Sequence, residues 1–557
     1  VRQFLYTSYI MTRLVPLRRG LSVFALILLI SGIIASLRPA PTAHAASALE
    51  YTGWVPYWAT AKGTSDAQAH LSQLTEVNPF GYSVKKDGTL NDTANMSDPA
   101  WQSLMRSARG QGVKAIPTVM WSDTQNIYTV LSNPSARAAH IQAIVSMVTQ
   151  NGFDGVDIDY EGKTAETRPY FSAFLTELST ALYAANKDAK LGCTIEARMP
   201  LEARYSGTPP ANIEYANDLP TINKVCDRVR LMTYDQQTGD VQLNAAHKTE
   251  LYAPVADIVW VEKVVKYMSQ DIDRSKILIG VATYGAEYQA MTDASGTGFS
   301  YVKTASFNPQ YALDTAQQYG LTPSRSSSGE LYISYVPREQ SSQLPSQSTL
   351  SALAPSGTAT SNLAALGALA YSKQQGKQAP VTYLTWSDAQ AILDKARLAQ
   401  RMGVAGIAIF KLDGSEDPNM WSMLATVSAP VRNPVTSRSI LVQATSTSGT
   451  GNSGTGSGTA QGGTSNSGST TTPTPTTTGT TGSTTTTASF TRNLSFGSSG
   501  ADVKRLQTIL IKKGYLKTAA NGNFGPSTRA ALKAWQKAKG LSASGFFGPQ
   551  SRAAIVQ

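Results

Sequence analysis

A (β/α)8 barrel with an α+β insertion after its seventh strand, plus a small all-α C-terminal domain, is the fold this sequence predicts. Three observations carry it. Eight short β-rich apolar runs alternate with longer amphipathic stretches, the pattern of repeated βα units around a parallel sheet. About 100 residues separate the seventh run from the last helix, far beyond an ordinary loop, so an inserted subdomain is expected at about 286–384. The last 60 or so residues contain an imperfect repeat that follows a tract with nothing apolar to bury.

From the amino terminus, Arg13, Arg18 and Arg19 precede the apolar run at 21–37, and Ala43-His44-Ala45 follows as a small-x-small cleavage site. This is the pattern of an export signal over 1–45. The run is also close to the shortest that spans a bilayer, so an uncleaved anchor is the alternative, and this segment is the only predicted route to a membrane. The eight strand runs follow at 51–58, 76–84, 113–120, 153–160, 190–195, 228–235, 277–285 and 404–412. Helical patterns separate them. At 136–152, for example, Ile141, Ile144, Val145 and Val148 recur at three-four spacing and Gly152 supplies a stop. Within the insertion, 300–336 mixes a helix (309–319) with a strand (LYISYV), and 339–380, rich in Ser, Ala and Gln, is expected to be a mobile excursion. The barrel domain is assigned to 46–430 and a flexible linker to 431–488, since 444–488 holds only Gly, Ser, Thr, Asn, Gln, Pro and Ala.

Charge excludes some functions. The net charge is +11, but residues 47–487 carry 32 basic and 36 acidic side chains, a net of −4, which argues against a nucleic-acid enzyme with a basic channel. Two Cys exclude a disulfide scaffold and a four-Cys zinc site. His44, His70, His140 and His247 never recur at ligand spacing, so neither a metal nor another cofactor is expected. Cys193 and Cys226 lie on or just before consecutive strands, where a disulfide and two buried thiols are both open.

The segment FDGVDIDYEG places Asp154, Asp157, Asp159 and Glu161 within eight residues. On a strand, alternation sends Asp157, Asp159 and Glu161 to one face, towards the carboxyl end of the barrel where such folds place their chemistry. Neighbouring, partly buried carboxylates cannot all ionise comfortably, so at least one holds a proton near neutral pH, which suits a general acid for glycosidic cleavage. A calcium loop or a solvated acidic loop is the competing reading, and the apolar Val156 and Ile158 between the acids disfavour both.

These four acids match the D-x-x-D-x-D-x-E signature on strand four of the family-18 glycoside hydrolases, the chitinase-like enzymes. The chain resembles that family over most of 50–425: TGWVPYW is similar to its first strand, LMTYD (231–235) to its M-x-Y-D, ILIGVATYG to its seventh strand and GIAIFKLDGSEDPNMW to its eighth. The resemblance implies substrate-assisted retaining hydrolysis, an exception to the two-carboxylate scheme. Glu161 would protonate the leaving oxygen while the substrate's 2-acetamido carbonyl attacks the anomeric carbon, forming an oxazolinium ion. Asp159 would orient the acetamido group and offset the positive charge, and Asp157 would share the proton from behind. Tyr234 would hydrogen-bond the acetamido oxygen. Asp235, Asp154, Met232, Phe410, Tyr284 and Trp54 complete the set expected to bind substrate. Two departures stand out. Thr118-Val119-Met120-Trp121 replaces the family's S-x-G-G, and Phe410 stands where a Trp usually floors the distorted sugar. Trp54, Trp58, Trp121, Trp386 and Trp421 are the alternative aromatic platforms, each equally open to a place in the core.

In the terminal repeat, NGNFGPSTRAALKAWQ (521–536) is echoed by SGFFGPQSRAAIVQ (544–557). Residues 489–557 resemble the peptidoglycan-binding type 1 domain, with Leu506, Leu510, Tyr515, Phe524, Leu532, Trp535, Leu541 and Phe547 as core. The net charge of +10 over 488–557 suits a polyanionic wall better than DNA. The sequence therefore predicts a secreted or wall-associated monomer that hydrolyses β-1,4 bonds of peptidoglycan. Chitin is the alternative substrate, and a catalytically silent sugar-binding protein is the rival class.

Overall fold

The computed structural model describes residues 49–338, 344–427 and, nearer the C-terminus, 490, 494 and most of 500–555. The predicted export segment, 1–45, and the linker, 431–488, lie outside the described residues. Eight parallel strands close a barrel: β1 (Glu50–Pro56), β2 (Glu76–Val84), β3 (Thr118–Trp121), β4 (Gly155–Tyr160), β5 (Lys190–Glu196), β6 (Arg228–Met232), β7 (Ile277–Ala282) and β8 (Gly406–Phe410). The order runs from β1 through β8 down to β2, which pairs back onto β1 through Thr52 to Pro56. All eight fall within the predicted runs, give or take a residue. The third is shorter than expected because Pro117, which has no N–H to donate, separates the two-residue bridge Lys114–Ala115 from β3.

Helices pack around the barrel through the outward faces of the strands. The helix Pro134–Asn151 starts where Asn133 accepts hydrogen bonds from the N–H groups of Ser135 and Ala136, a cap worth about 1 kcal/mol. It ends at Gly152 in the left-handed region (φ 62°), the predicted stop. Its buried face presents Ile141, Ile144 and Val148 to the core, together with His140, whose ring nitrogens sit 2.5 Å from both Gly88 O and the Tyr160 hydroxyl. Burial pushes His140 down to about 4, so the ring is neutral and joins the outer face of β4 to the loop after β2. Cys193 on β5 and Cys226, just before β6, form a disulfide (S–S 2.01 Å), which settles the alternative left open by the sequence.

The insertion is a five-stranded sheet in the order Phe299–Phe307, Gly285–Thr292, Pro380–Trp386, Leu331–Tyr335, Ser324–Arg325. Its helix Pro309–Tyr319 and strand Leu331–Tyr335 match expectation. The expected mobile excursion does not: the described part of 339–380 forms helices Gln347–Leu353 and Leu363–Gln375 and leads into a sheet strand. The physical reason is the alanine content. Ala364, Ala365 and Ala368 are strong helix formers and small enough to be buried in close packing.

The C-terminal module has helices Ala501–Lys512, Pro526–Ala538 and Pro549–Ile555. Leu506, Leu510, Phe524, Leu532, Trp535 and Phe547 are buried in its core, with Tyr515 and Leu541 packed against it. The repeat is structural as well as textual. Gln507 accepts from the Gly522 N–H and donates to the Thr528 hydroxyl, and Gln536 accepts from the Gly545 N–H and donates to the Ser551 hydroxyl.

Candidate active site

Period-two alternation on β4 sends Val156, Ile158 and Tyr160 outward into the core and Asp157 and Asp159 into the barrel. Glu161 follows directly at the strand's carboxyl end, held in register by its N–H to Trp121 O at 2.8 Å. The two interior carboxylates are received differently. Asp157 is fully buried and accepts from Arg230 Nη1 (2.8 Å), Thr118 Oγ1 (3.0 Å), Thr194 Oγ1 (2.9 and 3.1 Å) and Trp54 Nε1 (3.4 Å). Asp159 Oδ1, in contrast, is buried with no hydrogen-bond partner among the described residues.

Electrostatics follow from that arrangement. Burial, reinforced by the neighbouring charges of Glu161 and Asp157, drives the Asp159 carboxyl well above the usual carboxylate range. Glu161 is raised as well, by burial first and then by Glu196, with the Lys163 ammonium opposing. Lys163 is itself lowered by burial. Its Nζ donates to the Tyr160 carbonyl and lies 4.6 Å from the centre of the Phe171 ring. The site thus holds two carboxyls disposed to keep a proton, at the end of the barrel where such folds do their chemistry.

An aromatic floor surrounds the pair. Tyr234, two residues beyond β6, stacks on Phe410 at 5.6 Å, and the phenol is raised well above its ordinary value by burial and the nearby carboxylates. Tyr284 donates to Asp235 Oδ2 at 3.1 Å and meets Phe410 edge-on at 6.2 Å. Met232 is half-buried, in register with Glu196 across β5 and β6. A cleft of about 340 Å³ opens between the β2 and β3 sides of the mouth, lined by Phe80, Met120, Trp121, Asp123 and Asn126 together with Asp159 and Glu161. Met120 stands opposite Asp159 in the β3–β4 register and narrows the cleft, whereas Trp121, 5 % exposed, packs edge-on against Tyr160.

The structure therefore gathers Asp157, Asp159, Glu161, Tyr234, Asp235, Met232, Tyr284 and Phe410 at one end of the barrel, and it corrects two expectations. Asp154 precedes β4, at the opposite end. Its carboxylate accepts the Ala115 N–H at 2.8 Å and its carbonyl accepts from Lys190, so it ties strand starts together rather than meeting a sugar. Trp54 is 2 % exposed beneath Phe410 and spends its indole N–H on Thr118 and Asp157, which leaves no face for a ring to stack on. Of the alternative tryptophans only Trp58 is exposed, at 52 %. Arg230 and Lys163 went unnoticed in the sequence. The signal for Arg230 was present: in RVRLM two arginines alternate with apolar residues on a barrel strand and so face the interior.

The sequence matches the family model "Glycosyl hydrolases family 18" over residues 53–415 and "Putative peptidoglycan binding domain" over residues 499–555. Among curated proteins it is 28 % identical over 253 residues to the "Putative sporulation-specific glycosylase YdhD" of Bacillus subtilis, covering 44 % of this chain and 52 % of that protein. It is 23 % identical over 294 residues to Chitinase 1 of Aphanocladium album, covering 47 % and 66 %. The chain spans about half the length, or less, of the first curated relatives it matches. Among solved structures, a class V chitinase from Pseudomonas fluorescens Pf-5 has a TM-score of 0.50 at 20 % identity, covering 68 % of this chain and 99 % of that one. The C-terminal domain of a chitinase homologue from Desulfitobacterium hafniense DCB-2 also has a TM-score of 0.50, at 19 % identity and with 69 % and 99 % coverage. At these identities the likeness to the solved structures concerns the fold.

Proposed function

Because this chain belongs to family 18 of the glycosyl hydrolases, we propose that it is an exported hydrolase that cleaves β-1,4 bonds of peptidoglycan next to N-acetylglucosamine, with its terminal module holding it at the wall. The observation that carries the reading is the pair Asp159 and Glu161 at the barrel mouth, both driven upward by burial and by neighbouring carboxylates, Glu161 and Asp157 for Asp159 and Glu196 and Asp235 for Glu161. In the mechanism Glu161 delivers its proton to the leaving oxygen. The acetamido carbonyl of the substrate attacks the anomeric carbon, and Asp159, left ionised once Glu161 has delivered the one proton held by the pair, faces the acetamido N–H and offsets the charge of the oxazolinium ion. Tyr234, kept as a phenol by its raised value, donates to the acetamido oxygen. Phe410 supports the sugar ring, with Tyr284 fixing Asp235 beside it.

Peptidoglycan is favoured over chitin because of the terminal module's match and because the relative YdhD is described as a sporulation-specific glycosylase. Chitin is the second reading, favoured by the similarity to Chitinase 1. The buried disulfide supports an oxidising compartment and so agrees with export. We assign the barrel domain to 46–430, the linker to 431–488 and the wall-binding domain to 489–557, acting as a monomer. The test incubates the protein and Glu161→Gln separately with purified peptidoglycan and with chitin oligomers and identifies the new reducing ends. Reducing N-acetylglucosamine released from peptidoglycan alone, and only by the unaltered protein, is the expected result. Release from chitin alone selects the second reading, and no release from either refutes both.

A further inference from the structure

Below Asp159 lies a buried ionic bridge that the mechanism above does not use. Arg230 is fully buried on β6; one arm of its guanidinium donates to Asp157 on β4 at 2.8 Å and the other to Glu76 on β2. Strand β5 lies between β4 and β6, and the bridge crosses it at Gly192, the register partner of Asp157. A Cβ at that position would stand 2.3 Å from Arg230 Nη1 and 2.7 Å from Asp157 Oδ1. Only glycine leaves room for the arginine to reach across the intervening strand.

We infer that Arg230 is a positioning residue: by clamping Asp157 as an anion already filled with donors, it confines the proton of the site to Asp159 and Glu161. The inference rests on the hydrolase reading for its role and on geometry for its content, and it departs from the resemblance, which implies that Asp157 shares the proton. Asp157 Oδ1 receives Arg230 and Thr194; Oδ2 receives Thr118, Thr194 and Trp54. The guanidinium on Oδ1 donates and cannot accept, so a proton there would point at a donor, and a proton on Oδ2 would require the Thr118 or Thr194 hydroxyl to turn from donor to acceptor. The charges around the ladder agree. Arg230 stands between Asp157 and Glu76, with the Arg228–Glu50 pair below. Above them Asp159 faces Glu161, Glu196 and Tyr234 with Lys163 as the opposing cation, and Asp235 acts on Glu161. Negative charge in excess therefore accumulates above Asp157, and the proton that relieves it stays beside the scissile bond instead of moving two residues down the strand.

The test measures pH profiles of kcat, with melting temperatures and the infrared C=O band of protonated buried carboxyls, for the full chain and three variants. In Arg230→Gln a cation is lost, carboxyls nearby become harder to ionise, and the acid limb of kcat moves up by about one pH unit while kcat falls about tenfold. At pH 6 one more carboxyl is protonated than in the unaltered protein. Gly192→Ala changes no charge, and its backbone is outside the left-handed region, so the substitution acts by steric displacement of the bridge. It is expected to move the limb the same way, and it carries the test if Arg230→Gln does not fold. Arg230→Lys keeps the charge and restores most of the limb position. Folded Arg230→Gln or Gly192→Ala with an unshifted limb and an unchanged carboxyl count overturns the inference, as does Arg230→Lys behaving like Arg230→Gln. If the unaltered protein cleaves neither polymer, the hydrolase reading falls while the infrared count still decides where the proton resides.

Discussion

Asp157 and Asp159 enter the same barrel from one strand, two residues apart, and the layers that receive them are built in opposite ways. Around Asp157 four side chains, Trp54, Thr118, Thr194 and Arg230, turn donors towards both carboxylate oxygens. Around Asp159 the carboxylates of Glu161, Asp157 and Glu196 outweigh the one cation, Lys163, and Oδ1 is left buried without a partner among the described residues. The lower layer stabilises a charge; the upper layer destabilises one and so retains a proton for use. An identical side chain on the same face thus becomes an anchor or part of an acid according to what the neighbouring strands supply at that height.

Several substitutions would break or sharpen that contrast. The largest effect is expected at the outer end of the ladder: Glu161→Gln removes the proton donor and should lower kcat by about a thousandfold with little change in KM, as steady-state hydrolysis would measure. Next is Asp157→Asn, which withdraws the anion from a buried guanidinium and should destabilise the fold by about 3 kcal/mol in urea unfolding. If it leaves stability unchanged, the lower layer is not an anchor. Tyr234→Phe removes one donor to the acetamido oxygen and should cost about ten- to a hundredfold in kcat with no loss of melting temperature.

The smallest effect carries the sharpest sign. The folded-state value of Asp159 is raised, so from about pH 4 upward the native protein retains a proton that the unfolded chain has released. Stability therefore falls as pH rises through that window. Asp159→Asn abolishes the cost and should raise the melting temperature by about 2 °C at pH 7, with the gain vanishing near pH 4, while activity drops. A lower melting temperature at pH 7 would show that the upper layer is stabilising, and the contrast with Asp157 would fail.

Much of this molecule was legible in one dimension. The eight strands follow from β-rich runs at βα spacing, and the inward line of Asp157, Asp159 and Glu161 follows from alternation alone, because the side-chain period of a strand is fixed at two. The terminal core residues were equally plain in a repeat that sets each turn and helix at a constant offset. What misled was identity without height. Asp154 belongs to the same acidic cluster, and yet sits at the other end of β4 on the Ala115 amide. Trp54 has the chemistry of a sugar platform and lies under the floor, while Trp58, four residues on, is in the open. The Ala-rich stretch after 339 lacked a clear apolar period and still folded into helices, because small residues pack closely without one.

The sequence by itself therefore determined which residue types share a face, which strands recur and where proton-bearing carboxyls must occur. Only the closed barrel decided which carboxylate is filled and which is left wanting. That choice rests on Arg230 reaching from β6 over Gly192 to Asp157, a meeting of residues from three strands. Period and propensity act within a segment, whereas the charge state of a buried acid depends on the donors and charges that other segments bring to within a few ångströms of it.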